Sequence, residues 1–218
     1  HHRQCTALRA GEPAADGTVD HFDAGSFETL FDVANHARTS TSIPEELRGP
    51  LTGTDTHTIE SWSYPNGCHV CELEIEEDTG VIHIVRYCAM DDVGRVINPM
   101  LVDGQIFGGI AHGVGNALFE WMGFDEDAQP ITTNFGEYLL VSAPEMPPVT
   151  MVHHESPSPV NPLGVKGVGE CGGVPTPSAI VAAIENALTP FDVHVTDAPV
   201  TPSHLIELIN EGRRAGAA

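Results

Sequence analysis

From residue 69 to residue 75 the chain alternates with a period of two. His69, Cys71, Leu73 and Ile75 fall on one side, and Val70, Glu72 and Glu74 on the other. That is the pattern of a strand with one covered face. Asp78-Thr79-Gly80 has turn chemistry, and residues 81–90 (VIHIVRYCAM) form a mostly apolar return strand, expected to be buried on both faces. The period then changes. Between 101 and 122, Ile106, Ile110, Val114 and Leu118 recur every four residues, which predicts one long helix. This helix also carries Gly104, Gly108, Gly109, Gly113 and Gly115. Glycine costs about 1 kcal/mol against alanine inside a helix, so these positions call for close approach of a backbone or a bulky ligand.

Further helices are expected at 26–36, with Phe27, Leu30, Phe31 and Ala34 on one face, at Thr176-Pro177 with the stripe Ile180, Val181, Ile184 and Leu188, and at Thr201-Pro202 with Leu205, Ile206, Leu208 and Ile209. Val193-His194-Val195 is expected to be a short strand. Residues 1–20 read as a loose lead-in, and 38–56 as a long connection rich in Thr, Ser, Pro and Gly. The strand pair and helices alternate without a strict βαβ rhythm, so the expected class is α+β, a mixed sheet with packed helices. No strong boundary is expected after residue 60.

Composition narrows the function. At 218 residues and 41% hydrophobic content the chain can bury a core of one domain or two small ones. It begins at His1, which suggests a fragment or processed product. With 9 basic and 31 acidic residues the net charge is −22, which disfavours nucleic acid and anionic membranes as partners. Eight basic residues are arginine and one, Lys166, is lysine. An acid-rich, lysine-poor surface of this kind suits a high-salt cytoplasm. Five cysteines and no apolar signal core point to reduced thiols in the cytoplasm, and no stretch reaches the ~18 apolar residues of a spanning helix.

Two stretches offer candidate chemistry. Cys68-His69-Val70-Cys71 invites a redox or zinc reading, but residues three apart on a strand point to opposite faces, and packed thiols explain it better. His112 lies in the glycine-bearing helix, where it either faces a ligand or is structural. The run from 161 to 173 (NPLGVKGVGECGG) holds five glycines, Lys166 and Glu170. Glycines let backbone N–H groups approach an anionic ligand, and a glutamate in such a loop, partly desolvated, can serve as a general base. The alternative is a plain glycine-rich loop with a solvated glutamate.

Three ordered motifs carry a resemblance. They are 91–99 (DDVGRVINP), 104–111 (GQIFGGIA) and 164–170 (GVKGVGE). In this order and spacing they resemble the molybdopterin-binding large subunits of the xanthine dehydrogenase family. The likeness is greater to the branch holding aerobic carbon monoxide dehydrogenase large subunits and bacterial N-heterocycle and aldehyde hydroxylases. It runs from about Val19 to Ile209, and Pro65-Asn66-Gly67 and residues 156–163 (SPSPVNPL) share it. Departures are Val93, His112 and Cys171, where relatives often carry cysteine, glutamine and small residues.

The resemblance implies a role for each matching residue. Glu170 matches the general base. Gln105 matches the glutamine that hydrogen-bonds the pterin, and Lys166, Gly167 and Gly169 match the loop around the metal, which is held through the pterin and not by protein ligands. It implies oxidation of an aldehyde, an N-heterocycle or CO with water as the oxygen source. It also implies a molybdenum–pterin cofactor of the cytosine dinucleotide type, with iron–sulfur clusters and FAD in partner subunits only. The expected partners are the N-terminal part of the large subunit and iron–sulfur and flavin subunits, in a dimer of heterotrimers. Residues 21–60 would belong to the molybdopterin-binding region and 61–218 would form its C-terminal domain. Such a chain would not turn over alone. The competing expectations are a non-catalytic fragment or split subunit that only binds cofactor or partners, and a stand-alone hydrolase using Glu170.

Overall fold

The structure is a computed structural model. It describes residues 30–45, 48–49, 54, 56, 58 and 61–216, and the expected lead-in at 1–20, with Phe27, lies outside the described residues. The chain divides into two units, 1–58 and 59–218.

In the first unit helix α1 spans Leu30–Thr39, with Asp32 in its first turn and His36 and Arg38 in its last, a placement that suits the helix dipole. The expected apolar face differs in its described part. Phe31 is 86% exposed, and Ala34 is exposed while Ala37 is buried. Nothing described in this unit offers Phe31 a surface to bury against.

The second unit is built on a three-stranded mixed sheet. Strands β1 (Asn66–Ile75) and β2 (Ile82–Asp92) form an antiparallel hairpin, and β3 (Val149–His153) adds to β2 in parallel. Gly80 closes the hairpin turn at a φ of +71°. Between β2 and β3 runs helix α2 (Pro99–Leu118), and helices α3 (Pro175–Leu188) and α4 (Pro202–Gly216) follow. The architecture is α+β, as the patterning implies.

His69, Cys71, Leu73 and Ile75 face inward, and Tyr87 and Ala89 of β2 join them. Ile106, Ile110 and Val114 of α2, Ile180, Ile184 and Leu188 of α3, and Leu205 and Ile209 of α4 complete this core. Each fully buried aliphatic side chain contributes about 1.5–3 kcal/mol of transfer free energy. Four expectations need correction. Strand β2 is not buried on both faces, because only the inner face is covered by helices of this chain. Val70, Val85, Met90 and Val152 remain exposed on the other. Val193-His194-Val195 forms no strand. The Val195 N–H donates to Glu185 Oε1 instead of to a neighbouring strand. Thr176 is not the N-cap of α3, which starts one residue earlier at Pro175. Its hydroxyl turns back to the Gly172 carbonyl. Helix α2 begins two residues before the expected start. Asn98 caps it by accepting from the Leu101 N–H, and Pro99 opens it.

Candidate functional site

The middle of the first motif and the start of the third lie side by side. Gly94 and Val165 form an isolated antiparallel bridge. The Lys166 N–H donates to the Val93 carbonyl at 2.8 Å, and the Arg95 N–H to the Gly164 carbonyl at 2.9 Å. Gly94 and Gly164 both have φ near +70° (+70° and +71°), and a Cβ on Gly94 would sit 2.2 Å from the Gly164 carbonyl oxygen. Only glycine permits both the left-handed backbone and this approach.

Asp92 ties the junction together. Its Oδ1 accepts from the Gly94 N–H at 2.9 Å and the Ser156 N–H at 3.1 Å, and its Oδ2 accepts from the Lys166 ammonium at 2.8 Å. Burial works against the Asp92 carboxylate, but the hydrogen bonds from Lys166, Gly94 and Ser156 and the Lys166 charge hold it below the ordinary carboxylate range.

The second motif meets the end of the same loop. The backbone of α2 at Ile106–Ile110 packs directly on Gly172 and Gly173, so close that a Cβ on Gly172 would fall 2.1 Å from the Ile106 carbonyl oxygen. Gln105 is exposed on α2, one turn before Gly109 and on that side of the helix. Beside it Gly104 and Gly108 have open space where a side chain would stand. The expected reason for the α2 glycines is therefore divided: Gly109 admits the loop, whereas Gly104 and Gly108 leave bare backbone facing outward.

Where the loop runs into α3, Glu170, Cys171, Val174 and Pro175 line a cleft of about 380 Å³. The cleft is also lined by Tyr64, Pro65, Asn66 and Gly67, at and just before the start of β1, and by Asp91 from the end of β2. Glu170 is exposed, so this chain does not itself supply the desolvation expected of it. Gly167 and Gly169 are also exposed, and a side chain on Gly169 would meet nothing within 4 Å. Gln105 and Lys166 do not line the cleft. Cys171 packs inward, and burial pushes its thiol up to about 11. Burial pushes the Cys71 thiol up to about 11 as well, while Cys68 faces outward. His112 is exposed on α2.

The sequence reading overlooked a buried polar chain that ends at this cleft. Asp91 Oδ2 lies 3.3 Å from His69 Nε2, and His69 Nδ1 lies 2.9 Å from the Tyr87 hydroxyl. That hydroxyl donates to Thr176 Oγ1 at 3.0 Å, and Thr176 donates to the Gly172 carbonyl at 2.6 Å. The signal was available, since strand alternation places His69 on the inward face, where a polar side chain needs a partner.

The bare backbone at Gly104 and Gly108 beside Gln105 on α2, and separately the exposed Glu170 and open Gly169 of the loop, leave room for close contact with a bulky polar cofactor of the kind the resemblance implies.

Comparison with known proteins bears on the family and the fold. A molybdopterin cofactor-binding domain model matches residues 7–147. The gamma subunit of the 6-hydroxypseudooxynicotine dehydrogenase complex of Paenarthrobacter nicotinovorans is 37% identical over 191 residues, covering 84% of this chain and 24% of that protein. The carbon monoxide dehydrogenase large chain of Hydrogenophaga pseudoflava is 31% identical over 208 residues, covering 94% of this chain and 26% of that one. Among solved structures, the Cu,Mo-CO dehydrogenase superposes with a TM-score of 0.74 at 28% identity, over 86% of this chain and 23% of that chain. Quinoline 2-oxidoreductase from Pseudomonas putida 86 superposes with a TM-score of 0.66 at 37% identity, over 67% and 19%. The chain thus spans about a quarter of the length of the curated relatives named here. It belongs to the molybdopterin cofactor-binding family, as part of a molybdenum hydroxylase large subunit.

Proposed function

We propose that this chain forms the C-terminal part of a large subunit that oxidises an electron-poor carbon, in an aldehyde, an N-heterocycle or CO, with Glu170 as general base. The observation that carries the reading is that the 164–173 loop packs on the other two motifs, at Gly94 and at Ile106–Ile110, and presents Glu170 to a cleft. When bound, a molybdenum–pterin cofactor of the cytosine dinucleotide type supplies the two-electron chemistry and a Lewis acid for water.

The chain's own residues bind, orient and move one proton. Glu170, open to the cleft, accepts the proton of a water there on a carboxylate oxygen. Gln105 presents amide donors and an acceptor to the pterin from the exposed side of α2, beside the bare backbone of Gly104 and Gly108. Gly167 and Gly169 keep the loop slim where it faces the cofactor. Lys166 acts through Asp92, and we read it as a positioning residue for the loop, since its ammonium is already engaged.

Residues 61–218 are the cofactor-binding domain in this reading, and 21–60 belong to the same region. The other half of the site comes from the N-terminal part of the large subunit, which also removes water from Glu170. Electrons leave through iron–sulfur and flavin subunits, in a cytoplasmic dimer of heterotrimers. Molybdenum and pterin analysis of the complete complex tests this. Stoichiometric molybdenum with pterin is expected, and a complex that assembles without either would overturn it in favour of a non-catalytic module.

A further inference from the structure

We infer that His69 and Asp91 hold one extra proton between them, so that the cleft lined by Glu170 is also lined by a net-neutral pair and not by a second bare carboxylate. The inference follows from counting hydrogens along the buried chain. The Gly172 carbonyl has none to give, so Thr176 Oγ1, 2.6 Å away, must donate to it. A threonine has one hydroxyl hydrogen. The contact between Tyr87 and Thr176 at 3.0 Å is therefore donated by Tyr87. Tyr87 keeps its proton, because burial pushes the phenol up to about 12.

With that hydrogen spent, the phenol oxygen can only accept from the ring, so Nδ1 of His69 carries the hydrogen of the 2.9 Å contact. A neutral imidazole protonated at Nδ1 has only a lone pair at Nε2. That lone pair would face Asp91 Oδ2 at 3.3 Å, between side chains 1% and 4% exposed. Two acceptors face to face leave the Nε2 lone pair without a donor, inside a ring side chain that is only 1% exposed. One proton must lie between them. It makes either an imidazolium with a carboxylate or an imidazole with a carboxylic acid, and the pair is neutral in both.

No other group nearby changes the count. Cys71, facing Tyr87, and Cys171, facing Asp91, are thiols pushed up to about 11 by burial and stay neutral. Lys166 is taken by Asp92. Among the described residues the only ion-pair partner of Asp91 is His69. Asp91 and Glu170 line the same cleft, so an anionic group entering it meets the charge of Glu170 alone. Tyr87 and Thr176 act as positioning residues, fixing through His69 how Asp91 meets the cleft.

The consequence for catalysis rests on the proposed role of Glu170, but the proton count does not. Histidine-ring nitrogen and aspartate carboxyl NMR on the full chain tests it, at about pH 7.5, where an ordinary histidine is mostly neutral. The His69 ring, assigned by loss of its signal in His69→Gln, is expected to be protonated at both nitrogens. The equivalent result is protonation at Nδ1 alone with a protonated Asp91 carboxyl. Tyr87→Phe removes the acceptor for Nδ1 and is expected to release the extra proton, leaving a neutral ring that donates from Nε2. Glu170→Gln is expected to leave the His69 pattern unchanged, so failure of Glu170 as base would leave this inference standing. A wild-type His69 that is neutral and protonated only at Nε2, beside an ionised Asp91, overturns it. That measurement decides even if Tyr87→Phe does not fold.

Discussion

Lys166 and Asp92 are 74 residues apart and form an ion pair 2.8 Å long, with side chains only 10% and 11% exposed. The pair anchors the loop that carries Glu170 to the end of β2. Taking away one partner of such a pair strands the other charge out of water, at a cost of about 3–5 kcal/mol. Lys166→Met is therefore expected to lower unfolding stability by that amount in denaturant titrations. Lys166→Met combined with Asp92→Asn should recover much of the loss, because no stranded charge remains.

The same pair sets an acid limit. The folded-state proton affinity of Asp92 lies below its unfolded value, so its contribution is full above the ordinary carboxylate range near pH 4 and fades as pH falls through the folded value. Unfolding midpoints measured from neutral pH down to about pH 2 should fall less steeply for Asp92→Asn than for the wild type. Glu76, Glu137 and Glu145 shift the same way but lie on the surface, where screening makes their share small.

How much of this was legible in the sequence depends on the kind of interaction. The hairpin, the long helix and the stripes of α3 and α4 follow from periodicity alone, because burial on one face imposes a period on the chain. Strand β2 misled, since an apolar run looks the same whether its second face meets this chain or something else. Thr176-Pro177 misled because a threonine before a proline signals a cap, and the hydroxyl is needed for the buried chain to Tyr87 instead. Glu170 and Gln105 are proposed from motifs, and Asp92 lies inside a quoted motif without a role. Its role depends on Lys166, and a pairing across 74 residues leaves no periodic trace. Val193-His194-Val195 has strand composition but pairs with no strand among the described residues, and its Val195 N–H goes to a glutamate side chain instead.

The glycines of α2 and of the loop packed on it divide into two kinds with opposite expected effects. Gly172→Ala forces a Cβ to 2.1 Å from the Ile106 carbonyl, so the loop must lift from α2 and stability should fall by about 1–3 kcal/mol. Gly108→Ala meets open space in this chain and should gain up to about 1 kcal/mol of helix propensity. Thermal unfolding of the two variants checks the signs.

With 31 acidic against 9 basic residues, the surface repels itself when unscreened. The Debye length shrinks from about 10 Å at 0.1 M salt to about 3 Å at 1 M, so stability is expected to rise across that range. Equal stability in dilute and molar salt would remove the high-salt reading of the composition.

The proposed role of Glu170 as base is decided by Glu170→Gln in the complete complex, with molybdenum and pterin content measured alongside reduction of the enzyme by substrate. General base catalysis contributes about 10²–10⁴-fold. The expected result is full cofactor content with reduction slowed by about 10²-fold or more. Near-normal reduction in the fully loaded variant would contradict the assignment.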